Sequence, residues 1–172
     1  MSYWRNLADW MYGDVRNDRG FWYAHPLWEI DGLSEEQLFW VPQPECLPII
    51  WHVGHIAHRE RLHIGKFLQG LQGEIIPPQY DVFGTRWQSA VEIRQAIDSV
   101  PKVLAWVEQV RAQSTTFVAT LEDEDFARVS PTSEEGLTIG HWLFITIAHG
   151  AIHIGRIQML RAMLEKEYDR PC

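Results

Sequence analysis

The sequence predicts an all-α fold, a four-helix bundle with long crossover connections. Four long stretches carry apolar residues at helical spacing, two extended connections separate them, and no stretch alternates clearly enough to be a strand. At 172 residues the chain reads as one domain, 1–172, long enough to bury a core without staples.

The first helix is expected from Tyr3 to about Trp22, with Trp4, Leu7, Ala8, Met11, Val15 and Trp22 on one side and acids and an arginine on the other. Gly13 and Gly20 weaken it, Pro26 bends or ends it, and His25 just before that proline reads as a loop residue. Leu33 to Trp40 is a single helical turn capped by Ser34, and the Pro-rich run after it is a connector. The second helix runs from about Leu47 to Leu68, with Pro48 in its first turn. A long connection, Gln69 to Ser89, follows. Its Tyr80, Phe83 and Trp87 either line a pocket or pin the loop to the bundle. A short helix from Ala90 to Asp98 leads to Ser99, the cap of a third long helix ending near Leu121, whose role is core. An acidic connection at the surface leads to Thr138, the cap of the fourth helix, which reaches about Glu165. Tyr168 to Cys172 is a tail.

A net charge of −8 and a pI near 5.4, with no Lys/Arg cluster, exclude nucleic-acid binding, which needs a basic face against phosphate. The two cysteines, Cys46 and Cys172, make neither a disulfide framework nor a zinc motif, which fits a reduced cytoplasmic setting. The charged N-terminal stretch does not read as a signal peptide, and no apolar run reaches about 18 residues, so no membrane partner is expected. Nine tryptophans imply helices packed by large flat rings, with an aromatic pocket as the alternative.

Histidine carries the functional signal. In the fourth helix His149 and His153, four apart, fall on one stripe with Trp142, Ile145, Ile152, Ile157, Leu160 and Leu164. An imidazole buried there needs a partner, so the two are either satisfied core histidines or a ligand pair on one metal ion. Gly150 and Gly155 beside them, where a helix favours Ala, add weight to the second reading. The second helix holds His52, His55, His58 and His63. His55 shares a seam with Trp51 and Leu62, with Gly54 beside it for close approach; His52 and His63 project toward another side, and His52, His58 and His63 read as solvated, with support of a ligand as the alternative for His52.

The segment W-H-V-G-H-I-A-H-R-E at Trp51 to Glu60, followed about ninety residues later by A-H-G-A-I-H-I-G-R-I-Q at Ala148 to Gln158, resembles the DinB-like superfamily. The lead-in L-S-E-E-Q-L-F-W is similar as well, and together these segments span the chain in the family's order. The resemblance implies a four-helix bundle with crossover connections and a divalent metal held by His55, His149 and His153. It implies no ligand role for His52, and it makes Glu60 a hydrogen-bond anchor rather than a base.

Three imidazoles suit zinc or nickel, with iron or cobalt as alternatives, and leave positions open for water or substrate. Superfamily members of known activity include thiol-dependent transferases and isomerases. The resemblance therefore implies a small-molecule substrate, with a low-molecular-weight thiol as one class. Two other readings stand beside it: a non-catalytic bundle stapled by a structural metal, and a homodimeric scaffold with a vestigial site, joined through Phe144, Ile147 and Ala151.

Overall fold

Ser34, Ser89 and Ser99 each start a helix in the same way, the hydroxyl accepting the backbone N–H three residues on. At Ser34 and Ser89 the side chains of Gln37 and Glu92 reach back to complete a capping box, and each such cap stabilises its helix by about 1 kcal/mol. The computed structural model describes residues 3–12, 25–84, 87–132 and 136–168. Within them the chain is all-α: α1 (Tyr3–Tyr12), α2 (Glu35–Phe39), α3 (Ile49–Glu60), α4 (Ala90–Ala96), α5 (Val100–Ala119) and α6 (Ile139–Tyr168). Short 3-10 turns lie at Trp28–Ile30, Pro78–Phe83 and Asp125–Ala127. The expected extension of the first helix from Gly13 to Trp22 lies outside the described residues, as does Cys172 with most of the tail.

The second predicted helix changes character midway. Pro48 is its N-cap, α3 ends at Glu60, and Arg61–Leu68 continues as a π-helix, with Gln69 N–H donating to the Ile64 carbonyl five residues back at 2.9 Å. Each residue of the wider helix advances through a smaller angle, so side chains beyond Glu60 point elsewhere than an α-helix would aim them. α3 also has no solvent face over most of its length, since every residue from Ile49 to Ala57 is buried. It packs against α6, α5 and the Pro78–Phe83 turn, while α1 packs against α5 and α6.

Two apolar clusters fill the interior. One gathers α3, α5, the Pro78–Phe83 turn and the later part of α6 through Ile154, Ile157 and Leu160. The other gathers α1, Ile64, Leu68 and the earlier part of α6 through Leu143 and Ile147. His149 and His153 fall where α6 passes from one cluster to the other. By length and composition alone Ile139–Lys166 could also cross a membrane, yet here its buried side chains form the core with α1, α3 and α5.

Several side chains differ from the sequence-based expectation. Ile152 is 56% exposed rather than part of the inward stripe, and Ile147, expected on a strip for self-association, is buried in the core. Phe144 and Ala151 remain exposed. The acidic connection after α5 is mostly at the surface as expected, but its Phe126 is a core residue. α5 is not purely apolar inside: buried Arg111 pairs with buried Glu60 at 3.1 Å and donates to the Met11 carbonyl at 3.3 Å, which ties α1, α3 and α5 together. Glu60 is thus an anchor, the role the sequence reading gave it.

Candidate metal centre

The site is built on the seam between α3 and α6. His55 projects from α3, and His149 and His153 from successive turns of α6, so that one ring nitrogen of each lies within 4.8 Å of the others. Among the described residues these three histidines are positioned to bind a metal ion. Nε2 of His55 and Nε2 of His149 stand 3.0 Å apart, close to the spacing of about 3.3 Å that two imidazoles adopt on one tetrahedral ion with bonds of about 2.0–2.1 Å.

The proton on His55 is fixed by the long connection. Its Nδ1 lies 2.7 Å from the Phe83 carbonyl and 3.0 Å from the Gly84 carbonyl, and since carbonyls only accept, the proton sits on Nδ1. Nε2 is therefore a bare lone pair aimed at His149. Without an ion, His149 satisfies that lone pair by donating its own Nε2–H. One residue earlier in the same turn, the Val82 carbonyl accepts from the Trp51 indole at 3.1 Å, and Trp51 stacks on His55 with centroids 4.3 Å apart. Three consecutive carbonyls of one turn thus orient His55 and the ring that covers it.

His153 is steadied from the other side. Its Nδ1 and that of His52 are 2.9 Å apart, so one ring donates and the other accepts. A His153 that presents Nε2 as a lone pair carries its proton on Nδ1 and gives that hydrogen bond to His52. This is the kind of support that sets the tautomer of a metal-bound histidine.

Burial, the first cause for each ring, holds these imidazoles below the ordinary histidine range: His52 and His55 fall to about 4 and His153 to about 2, with neighbouring rings and Arg156 adding to the depression of His153. His149, half-buried, is lowered by burial and then by the charges of Arg59 and Arg156. All four rings are neutral at pH 7, the form in which a histidine binds metal without first losing a proton.

A model of the DinB superfamily matches residues 26–157. The chain belongs to the DinB superfamily. No curated protein and no solved structure matches it. The matched span of this DinB-superfamily chain holds all three histidines of the cluster together with His52 and the Phe83–Gly84 carbonyls, and leaves out α1 and the last turns of α6.

The structure moves the other three histidines of the second predicted helix, His52, His58 and His63, from where the sequence placed them. His52 is buried against the cluster rather than turned to another side, because α3 is enclosed all round. His63 was expected in solvent; it is buried, with Nδ1 3.1 Å from the Thr146 hydroxyl, because the π-helix brings it back toward α6. His58 is half-buried rather than solvated, and its Nδ1 is buried without a hydrogen-bond partner among the described residues. His25 is the loop residue expected, its Nδ1 accepting from Leu27 N–H at 3.3 Å. Sequence reasoning missed the Phe83 and Gly84 carbonyls, which have no residue-type signature. Their indirect signal was Gly54, where an added Cβ would come within 2.5 Å of the Phe83 ring.

Proposed function

We propose that this DinB-superfamily protein is a metal-dependent enzyme of the thiol-transferase type, in which His55, His149 and His153 hold a divalent ion. The observation that carries the reading is the bare Nε2 of His55, held by two loop carbonyls and facing Nε2 of His149 at 3.0 Å. Zinc and nickel suit three neutral imidazoles first, and iron or cobalt come next. Such an ion, when bound, lowers the pKa of a bound water or thiol toward neutrality.

The chain's own contribution is orientation and access. Phe83 and Gly84 fix the His55 tautomer, His52 steadies His153, and the half-buried His149 leaves the cluster approachable while His55 and His153 are buried. The uneven burial favours an open centre over a closed structural staple. So does the apolar packing between α3 and α6 through Trp51, Val53, Ile154 and Ile157, which holds the two helices together without an ion. A small-molecule thiol in a cytoplasmic setting is the substrate class we propose, with self-association through exposed Phe144 and Ala151.

Cobalt-loaded protein tests the reading. Adding 2-mercaptoethanol should produce thiolate-to-cobalt charge-transfer absorption and alter the visible bands. A loaded protein whose spectrum is indifferent to thiol would instead be a structural metal protein.

A further inference from the structure

The two stripes that supply the histidines each continue, one turn further on, into an arginine. On α3 the order is His52, His55, Arg59; on α6 it is His149, His153, Arg156. Residues three and four apart share a helix face, so each arginine stands beside the cluster. Since His52 meets His153 and His55 meets His149, the chains run in opposite senses here, and the two arginines flank the three histidines from opposite ends.

Neither arginine has a carboxylate partner among the described residues, in contrast to Arg111, Arg94 and Arg161, each of which pairs with a glutamate. Arg59 is half-buried, and its Nε is fully shielded from solvent without a hydrogen-bond acceptor among the described residues. A guanidinium N–H shielded from water and left without an acceptor is unfavourable unless a ligand supplies one. The charges are felt at the site: Arg59 contributes to lowering the pKa of His55, His63 and His149, and Arg156 that of His52, His149 and His153. Burial is the cause that lowers Arg59's own pKa, with no acid offsetting it.

Among the described residues the acid nearest Arg59 in sequence is already paired. Glu60, next to Arg59 in sequence, is committed to Arg111. Three neutral ligands leave a divalent ion its full charge, and among the described residues no carboxylate is bonded to the three histidines. We infer that Arg59 and Arg156 are substrate-binding residues of the metal centre, and that they select a thiol bearing an oxyanion, a carboxylate or a phosphate. A planar guanidinium fork matches both groups and gives its strongest hydrogen bonds to them. The inference rests on the metal-centre reading and names the substrate class for it.

The test uses the cobalt-loaded 172-residue chain and four thiol probes: mercaptosuccinate for carboxylate, thiophosphate for phosphate, neutral 2-mercaptoethanol and cationic cysteamine. At least one anionic probe should bind roughly 10- to 100-fold more tightly than 2-mercaptoethanol, with cysteamine weakest, and the tighter anion names the group. Arg59→Gln should remove most of that preference, read as the ratio of anionic-probe to 2-mercaptoethanol affinity on protein with its cobalt content verified; Arg59→Lys should restore part of it. Arg156→Gln, at an exposed position, should act in the same direction. Equal binding of all four probes, or a preference that survives both glutamine variants, overturns the inference and leaves the metal centre standing. Failure of the wild-type protein to take up cobalt overturns the metal centre itself, and the substrate class with it.

Discussion

The Phe83 carbonyl accepts a 2.7 Å hydrogen bond from Nδ1 of His55 while the Phe83 side chain lies directly over Gly54, one residue before that histidine. One loop residue therefore both sets the proton position on the imidazole and packs against the helix that carries it. The Pro78–Phe83 turn belongs to the site as much as α3 and α6 do. Its fixing comes from Tyr80 and Phe83, which are buried and stack with Trp106 of α5, the Tyr80 pair at 4.2 Å.

Gly54→Ala follows from that contact. A Cβ at 2.5 Å from the Phe83 ring forces the aromatic, and the carbonyl behind it, away from α3. Overpacking of this kind costs roughly 1–3 kcal/mol. Urea denaturation should report that loss, and zinc titration should show weaker binding as well, since His55 loses an acceptor. A variant as stable as wild type with unchanged zinc affinity would mean that the loop does not hold His55.

His52→Ala separates support from ligation. Because His52 touches His153 through its Nδ1, its removal should weaken zinc binding by about 10- to 100-fold, the usual effect of removing the partner of a ligand, without abolishing it. Loss of stoichiometric binding would make His52 a ligand in its own right.

The buried pair of Glu60 and Arg111 gives a stability prediction remote from the chemistry. Removing the carboxylate with Glu60→Ala leaves the Arg111 charge buried without its partner and should cost about 3–5 kcal/mol. Replacing both residues by apolar ones of similar volume should recover most of that loss. Equilibrium denaturation of the single and double variants checks both statements; a single variant near wild-type stability is the contrary result.

The pH dependence of the metal-free protein has a definite sign. His63 is held down to about 3, first by burial and then by Arg59, against about 6.5 in the unfolded chain. Between those values the unfolded state binds the extra proton, so the contribution is fully present above pH 6.5 and is lost as pH falls toward 3. His63→Gln should flatten the stability profile in that window by up to one proton, about 1.4 kcal/mol per pH unit. An unchanged slope would contradict the burial of His63.

Much of the fold was legible because its signals are local. Ser34, Ser99 and Thr138 cap where a small hydroxyl precedes an apolar periodic run, and the Thr138 hydroxyl accepts from His141 N–H at 3.3 Å. The grouping of His55, His149 and His153 was legible from spacing and family pattern together. What remained hidden depends on geometry that no residue type encodes. The π-helix at Arg61–Leu68 redirected His63, enclosure of α3 on all sides brought His52 inward, and backbone carbonyls supplied the support for His55. Ile147 and Ile152 exchanged expected faces because α6 meets α1 as well as α3, which shifts its buried side.

His55, His149 and His153 are expected to hold one divalent ion together. Isothermal titration of zinc into the metal-free wild type and the single variants His55→Ala, His149→Ala, His153→Ala and His58→Ala tests it most directly, with far-UV circular dichroism to verify the helices. One zinc per chain should bind the wild type and His58→Ala alike, and each of the other three variants should lose affinity by orders of magnitude while keeping its helicity. Wild-type affinity in His55→Ala, or full binding in either α6 variant, would mean that the three histidines do not share one ion.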